Sequence, residues 1–423
     1  MRLDFIQEQF KKKGFWNTFR YYFCRAMSKA ALKLVGPYVA KHGKLHRNYI
    51  VFKNRTMQDM TDNARAFYEY LIQNEKYKDY RIIWMVSDKR KFRNYKYKNV
   101  KFVTAESKNG WTSPLAYYYG AVSGFFFYTN NSAYLNLHHC PGQVTVNLWH
   151  GCGYKDVPRE KHESTGASMM HFDYALVPGK AFVETKSRYW KCPKEKVLPL
   201  GYPRYDWMLR PSMSSQEIIR KLLGMTADKM IIWMPTFRNS EVLDSAESRI
   251  QLPFPLPGLR NEEELKQLDV ILSSLDILLI IKKHPVQTDW NIQEEDFRNI
   301  CYVDQKLLDK KRIQLYELIS ASDGLISDYS SVAVDYMLLN RPLAFVLTDM
   351  QQYKETRGFV FEKPEEYMPG EKVYDLKGLE TFAEHIASGE DLYRQERARL
   401  LPIMHQMPVK ENYAEALAEY LKL

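Results

Sequence analysis

The chain has 423 residues, 45% of them hydrophobic, which is more than one hydrophobic core organises, so two domains are expected. Its five cysteines, Cys24, Cys140, Cys152, Cys192 and Cys301, fall without a CxxC pair or metal-ligand spacing, which argues against a secreted disulfide scaffold and fits a reducing cytoplasm. The formal charge of +10 is concentrated at the start, where Met1 to Arg47 carry 11 Lys or Arg against Asp4 and Glu8, so a nucleic-acid groove running along the whole protein is excluded.

Within that basic start, Phe15, Trp16, Phe19, Tyr22, Phe23, Met27, Ala30, Ala31, Leu34, Val35 and Tyr38 recur at helical spacing. Arg20, Arg25, Lys29 and Lys33 stand between them, and Lys11, Lys12 and Lys13 lead in. This pattern predicts that residues 1–47 form an amphipathic segment lying in the interface of an anionic membrane. The alternative is a helix packed on the protein's own core. No run reaches the ~18 apolar residues of a membrane span, and the compact apolar core of a signal peptide is missing. The expectation is a peripheral protein at the cytoplasmic face of the cell membrane.

From Tyr49 onward short apolar runs alternate with helix-like segments: YIVF at 49, RIIWMV at 81, VKFV at 100, GFFFYTN at 124, VTVNLW at 144, YALVP at 174 and VLPLGYP at 197. After a polar stretch from Arg210 to Asp228 a second series follows, with MIIWMPTF at 230, LDILLIIKKHP at 275, ICYVD at 300, GLISD at 324 and PLAFVLTD at 342. Such alternation predicts an α/β protein with two Rossmann-like domains of parallel sheet facing across a cleft, residues 48–209 and 225–400, and a C-terminal helix in 401–423. QLPFPLPGLRN from Gln251 reads as a loop at the cleft mouth, because its prolines exclude regular helix. GxGxxG and GxxxxGK[ST] are both absent from the sequence.

Open α/β sheets bind ligands beyond the carboxyl ends of their strands. In the first domain VTVNLW ends at His150, which can exchange a proton near neutral pH, followed by Gly151, Cys152, Gly153 and Tyr154. In the second, MIIWMP ends at Thr236, Phe237 and Arg238, and ILLIIKK ends at Lys282, Lys283 and His284. GLIS ends at Asp328, Tyr329, Ser330 and Ser331, with Asp335 one helical turn further on. Each residue has an ordinary reading: solvated lysines, an Arg238 to Glu241 pair, a serine that only caps a helix. Together, cations, histidine and hydroxyls at corresponding strand ends favour a diphosphate.

WHGCGYKDV from Trp149, GYPRYDWML from Gly201, MPTFRN from Met234, KKHP from Lys282, SDYSSVAVDYMLLNRPLAFVLTD from Ser327 and RGFVFEKPEEYMPG from Arg357 resemble, in order and spacing, the CDP-glycerol glycerophosphotransferases of teichoic acid synthesis. The resemblance implies a GT-B fold and transfer of a polyol phosphate from CDP-glycerol or CDP-ribitol to a hydroxyl on an undecaprenyl-diphosphate-linked acceptor, with CMP released. By motif it makes His150 the general base and His284 a second catalytic histidine. It assigns Gly151, Cys152, Gly153, Tyr154, Arg204, Thr236, Phe237, Arg238, Lys282 and Lys283 to the donor, and Ser330, Ser331 and Asp335 to its diphosphate and polyol. Cys152, Gly153 and Tyr154 depart from the family's usual Thr-Pro-Leu, so the polyol stays open between glycerol and ribitol. With no DxD motif, neither a metal nor a cofactor is expected. The other readings are a GT-B glycosyltransferase using a nucleotide-sugar and, outside enzymes, a membrane-surface scaffold with a degenerate nucleotide fold.

Overall fold

A computed structural model describes residues 14–54, 60–95, 99–155, 171–236, 252–282, 292, 297–356, 358–406 and 412–423. Among these, the first domain holds β1 (His46–Lys53), β2 (Arg81–Val86), β3 (Val100–Thr104), β4 (Ser123–Tyr128), β5 (Val144–Asn147), β6 (Tyr174–Leu176) and β7 (Val197–Leu198). They form one sheet in the order β3-β2-β1-β4-β5-β6-β7, every pair parallel. The second domain holds β8 (Lys229–Trp233), β9 (Ile277–Lys282), β10 (Ile300–Val303), β11 (Gly324–Ser327), β12 (Leu343–Val346) and β13 (Glu371–Val373). Their order is β10-β9-β8-β11-β12-β13, again all parallel.

Strands covered on both faces need apolar residues at successive positions, hence the unbroken runs in the sequence. Ile50 and Phe52 face one core while Val51 faces another, and Met230 and Ile232 alternate in the same way with Ile231 and Trp233. The cores over Phe52 and over Met230 are continuous, so the two domains share one apolar interior. The expected strands are present. β13 was not legible, because three residues with two of them only partly buried make no apolar run.

Chain order reverses between β1 and β4 in the first sheet and between β8 and β11 in the second. These are the two places where such folds open a crevice.

The basic segment forms one helix over Phe15–His42, and most of its large apolar residues are not packed on the protein's own core. Small residues dock it: Thr18, Ser28, Ala31 and Gly36 are buried, and Ser28 Oγ donates to Gly110 O (3.1 Å) while accepting from Thr112 N (2.8 Å). The large residues point outward, with Trp16 77%, Leu34 71%, Tyr38 67% and Phe15 61% exposed, and Phe19, Phe23 and Met27 exposed along the same helix. No helix among the described residues is long and apolar enough to cross a membrane.

Residues 252–260 follow a helix-free course, as the prolines require, but they do not simply rim a cleft. Phe254, Leu256 and Leu259 are buried in the second domain's outer core. The polar stretch from Arg210 holds a helix, Ser215–Leu223, which starts with a reciprocal Ser214–Glu217 cap. The expected boundary after residue 400 falls inside the helix Arg394–Met404. The last helix, Tyr413–Tyr420, returns to the first domain and packs on the helices Asp62–Gln73 and Tyr205–Leu209. There Asp206 accepts from Tyr413 N (2.8 Å) and Ala414 N (2.9 Å).

Candidate active site

β5 ends in a tight turn. Trp149 adopts a left-handed φ of 50°, its N–H donates to Asn147 Oδ1 (3.0 Å), and its indole N–H donates to Gly151 O (2.8 Å). Asn63, near the start of the helix Asp62–Gln73, fixes this turn from outside by donating to Leu148 O and Trp149 O, both at 3.0 Å. The His150 ring lies against Trp149 with centroids 4.3 Å apart.

The next four residues alternate in role. Gly151, at φ 139°, and Gly153 lie directly against the second domain: a Cβ on Gly151 would meet Ser331 Oγ at 2.5 Å, and one on Gly153 would meet Ser331 N at 2.8 Å. Only glycine allows so close an approach. Cys152 and Tyr154 turn the other way. The Cys152 thiol is buried 3.3 Å from Tyr202 Oη, and burial pushes its pKa up. Tyr154 is fully buried and donates to Tyr367 O (2.9 Å), while Val360 N donates to Tyr154 O (2.8 Å). Their expected place among the donor contacts is therefore corrected: these side chains anchor the loop to the interior and to the segment around Phe359–Tyr367, and only the glycine backbone faces the crevice.

On the second domain's side, Ser330 precedes the helix Ser331–Tyr336 and makes no side-chain capping bond. The plain capping role is thus not what occupies its hydroxyl. Across the β8/β11 crossover, Asp328 accepts from Thr236 N (2.9 Å) and Thr236 Oγ1 (2.5 Å), tying the two strand ends together. Lys282, at the end of β9, is buried, and desolvation lowers its pKa against the opposing pull of Asp304 and Asp309. Phe237, Arg238, Lys283 and His284 lie outside the described residues.

Asp335 and Arg204 need the largest correction. Asp335 is fully buried, and its carboxylate points at the first domain. It accepts from Arg204 Nη2 (2.7 Å) and from the hydroxyls of Tyr205 and Tyr316. Arg204 is 4% exposed, and its other terminal nitrogen donates to Asp62 Oδ1 (2.6 Å) and His150 O (2.9 Å). Its guanidinium lies 4.5 Å from the Tyr316 ring centre and 5.0 Å from that of Tyr202. Burial opposes the charge, but Tyr316, Asp62 and Asp335 outweigh it and hold the pKa well above the ordinary arginine range. Asp62 itself adopts a left-handed φ of 60°. This network clamps the domains, and it borders the Gly151–Ser331 contact twice: through the His150 carbonyl and through Arg204 Nη2, which a Cβ on Gly151 would meet at 3.3 Å. The sequence reading missed Asp62, Asn63 and Tyr316, and it placed Asp328 at a strand end without its tie to Thr236; for the missed three, the TDN at Thr61–Asn63 carried the only local sign, and it reads as an ordinary helix start.

Among the described residues no group of three or more His, Cys, Asp or Glu side chains is arranged to hold a metal. A cavity of about 740 Å³ lies apart from these contacts, between Pro253–Arg260 and Thr348–Glu355.

The family model for CDP-glycerol:poly(glycerophosphate) glycerophosphotransferase matches residues 38–407. The chain belongs to that family. It is 26% identical over 338 residues to the teichoic acid poly(glycerol phosphate) polymerase of Bacillus spizizenii, an alignment covering 76% of this chain and 79% of that one. A teichoic acid ribitol-phosphate primase of the same organism is 29% identical over 255 residues, covering 56% of this chain and 59% of its own. The teichoic acid glycerol-phosphate transferase of Staphylococcus aureus is 25% identical, with 79% and 82% covered. Among solved structures, a variant of the wall teichoic acid polymerase TagF superposes with a TM-score of 0.72 over 96% of both chains at 21% identity. A UDP-GlcNAc 2-epimerase from Neisseria meningitidis gives 0.52 at 11% identity, covering 88% and 99%. These likenesses speak for the fold, which is GT-B and agrees with the two parallel sheets.

Proposed function

We propose that this member of the family transfers a polyol phosphate, glycerol phosphate in the first instance, from a CDP-activated donor to a hydroxyl of a lipid-linked wall-polymer precursor. The observation that carries this reading is the meeting of the His150 loop with the Ser330–Ser331 helix start at Gly151 and Gly153. A base from one domain and a diphosphate cradle from the other are thereby adjacent. In this reading the helix N–H groups and the two serine hydroxyls hold the donor diphosphate. The acceptor oxygen attacks the β-phosphorus, its proton passes to the His150 ring, and the bond to CMP breaks. His284 and Arg238 are assigned to charge stabilisation by motif alone. Ribitol phosphate is the second reading, favoured by the 29% identity to the ribitol-phosphate primase.

We also infer that the outward aromatic face of Phe15–His42 seats the protein on the cytoplasmic surface of an anionic membrane. Exposed rings flanked by Arg20, Arg25, Lys29 and Lys33 are what such an interface accepts.

The test is CMP release from CDP-glycerol, CDP-ribitol and a panel of nucleotide-sugars, with and without a lipid-linked acceptor. CMP from a CDP-polyol, dependent on acceptor and reduced ~10²–10⁴-fold in His150→Ala, is the expected result. Release of UDP or GDP from a nucleotide-sugar, or undiminished turnover in His150→Ala, overturns it.

A further inference from the structure

One cation near His150 has no part in that scheme. Lys186, on the helix Val183–Trp190, holds its ammonium 5.0 Å from the Trp149 ring centre, 4.9 Å from Tyr189 and 5.8 Å from Trp190. Trp149 is the ring on which His150 rests, and Trp190 meets Trp149 edge-on at 5.2 Å. Among the described residues no carboxylate pairs with Lys186. Glu184 on the same helix pairs with Lys194 instead. Lys186 is also near enough to the glycine loop to favour the Cys152 thiolate electrostatically.

Lysines with nothing to bind commonly stretch toward water or a surface carboxylate. Here three rings fix the ammonium without neutralising it, so its charge remains available to an anion. An anchored, uncompensated cation set among aromatic rings, one ring away from the base, describes a place for a phosphorylated polyol or sugar. A carbon skeleton can lie against the rings while its phosphate meets the ammonium.

We propose that Lys186, Trp149, Tyr189 and Trp190 form the acceptor subsite, binding the phosphate next to the hydroxyl that His150 deprotonates. This rests on the phosphotransferase reading above. It adds that the acceptor end is recognised as an anion, and by the first domain.

The test uses the full chain and two probes, sn-glycerol 3-phosphate and uncharged glycerol, titrated with saturating CDP present so that the donor site is filled. Binding is read by ligand-observed NMR in the wild type, Lys186→Met and Lys186→Arg, with CDP affinity measured separately by calorimetry. Glycerol 3-phosphate should outcompete glycerol in the wild type, lose about tenfold in affinity in Lys186→Met, and largely recover in Lys186→Arg. CDP affinity should be the same in all three proteins. Equal binding of glycerol 3-phosphate to wild type and Lys186→Met, or no binding to the wild type, overturns the subsite. Failure of CDP itself to bind refutes the phosphotransferase reading instead, so the two failures are distinguishable.

Discussion

Replacing Asp335 by Asn separates a clamp from a ligand contact. The carboxylate accepts from Arg204 and from two tyrosine hydroxyls, all within a fully buried region. Breaking a buried ion pair by removing one partner's charge costs about 3–5 kcal/mol, because the remaining charge stays desolvated. Asparagine keeps one acceptor oxygen for the tyrosines but sets an N–H group among donors, so the upper half of that range is expected. With a urea dependence near 3 kcal/mol/M, the midpoint should fall by on the order of 1 M. The companion double variant Arg204→Met with Asp335→Leu, which removes both charges, should cost less than the two single changes together, since buried pairs are often replaceable by packed apolar groups. Urea unfolding followed by tryptophan fluorescence supplies the stabilities, and calorimetry with CDP-glycerol supplies the donor affinity. Unchanged stability with weakened donor binding would refute the clamp and return Asp335 to the polyol position that the family resemblance implies.

Three further outcomes are expected. Replacing Ser330 and Ser331 together by Ala should leave the fold intact, because Ser330 makes no capping bond, and weaken CDP-glycerol binding by about 1–3 kcal/mol in calorimetry; unchanged binding would remove both hydroxyls from the donor site. Trp16→Glu with Phe19→Glu and Phe23→Glu should abolish sedimentation with vesicles containing anionic lipid and spare activity on a soluble acceptor, whereas retained sedimentation would assign the exposed face another purpose. Burial pulls the Lys53 ammonium down to about 8, so between that pH and about 10.5 the unfolded chain holds the proton more firmly and wild-type stability must rise with pH. Measured against Lys53→Met, the wild type should gain about 3 kcal/mol between pH 7.5 and 10.5, and a flat difference would show that the ammonium is better solvated than its burial implies.

What could be read from sequence divides by distance along the chain. The place of Ser330 and Ser331, where a strand runs into a helix, was legible because an apolar strand followed by an apolar helix leaves only a turn between them, and the turn residues stand in the text itself. His150 was legible for the same reason. Asp335 was misread because its direction is set by Arg204, 131 residues earlier, and by Tyr205 on the facing domain. No local period encodes that partner. Cys152 and Tyr154 look like neighbours of Gly151 and Gly153, yet a loop without repeating geometry gives no rule for which side chains turn inward; contacts with Tyr202 and Tyr367 decide it. The aromatic stripe of the first helix was legible as a period, but the docking of that helix through Thr18, Ser28 and Gly36 was not, because small residues carry no apolar signal of their own.

The return of the helix Tyr413–Tyr420 to the first domain bears on the order in which this protein can be made. The groove between Asp62–Gln73 and Tyr205–Leu209 is complete in sequence once residue 209 has been synthesised, yet its cover, with the backbone N–H groups that Asp206 accepts, comes about 200 residues later. At ~5–20 residues per second that is a wait of roughly 10–40 s, far longer than a domain of this size needs to collapse. Through that interval the first domain stands with an apolar groove open beside the ribosome, while the second domain folds. The part of the protein that begins first is the part that finishes last.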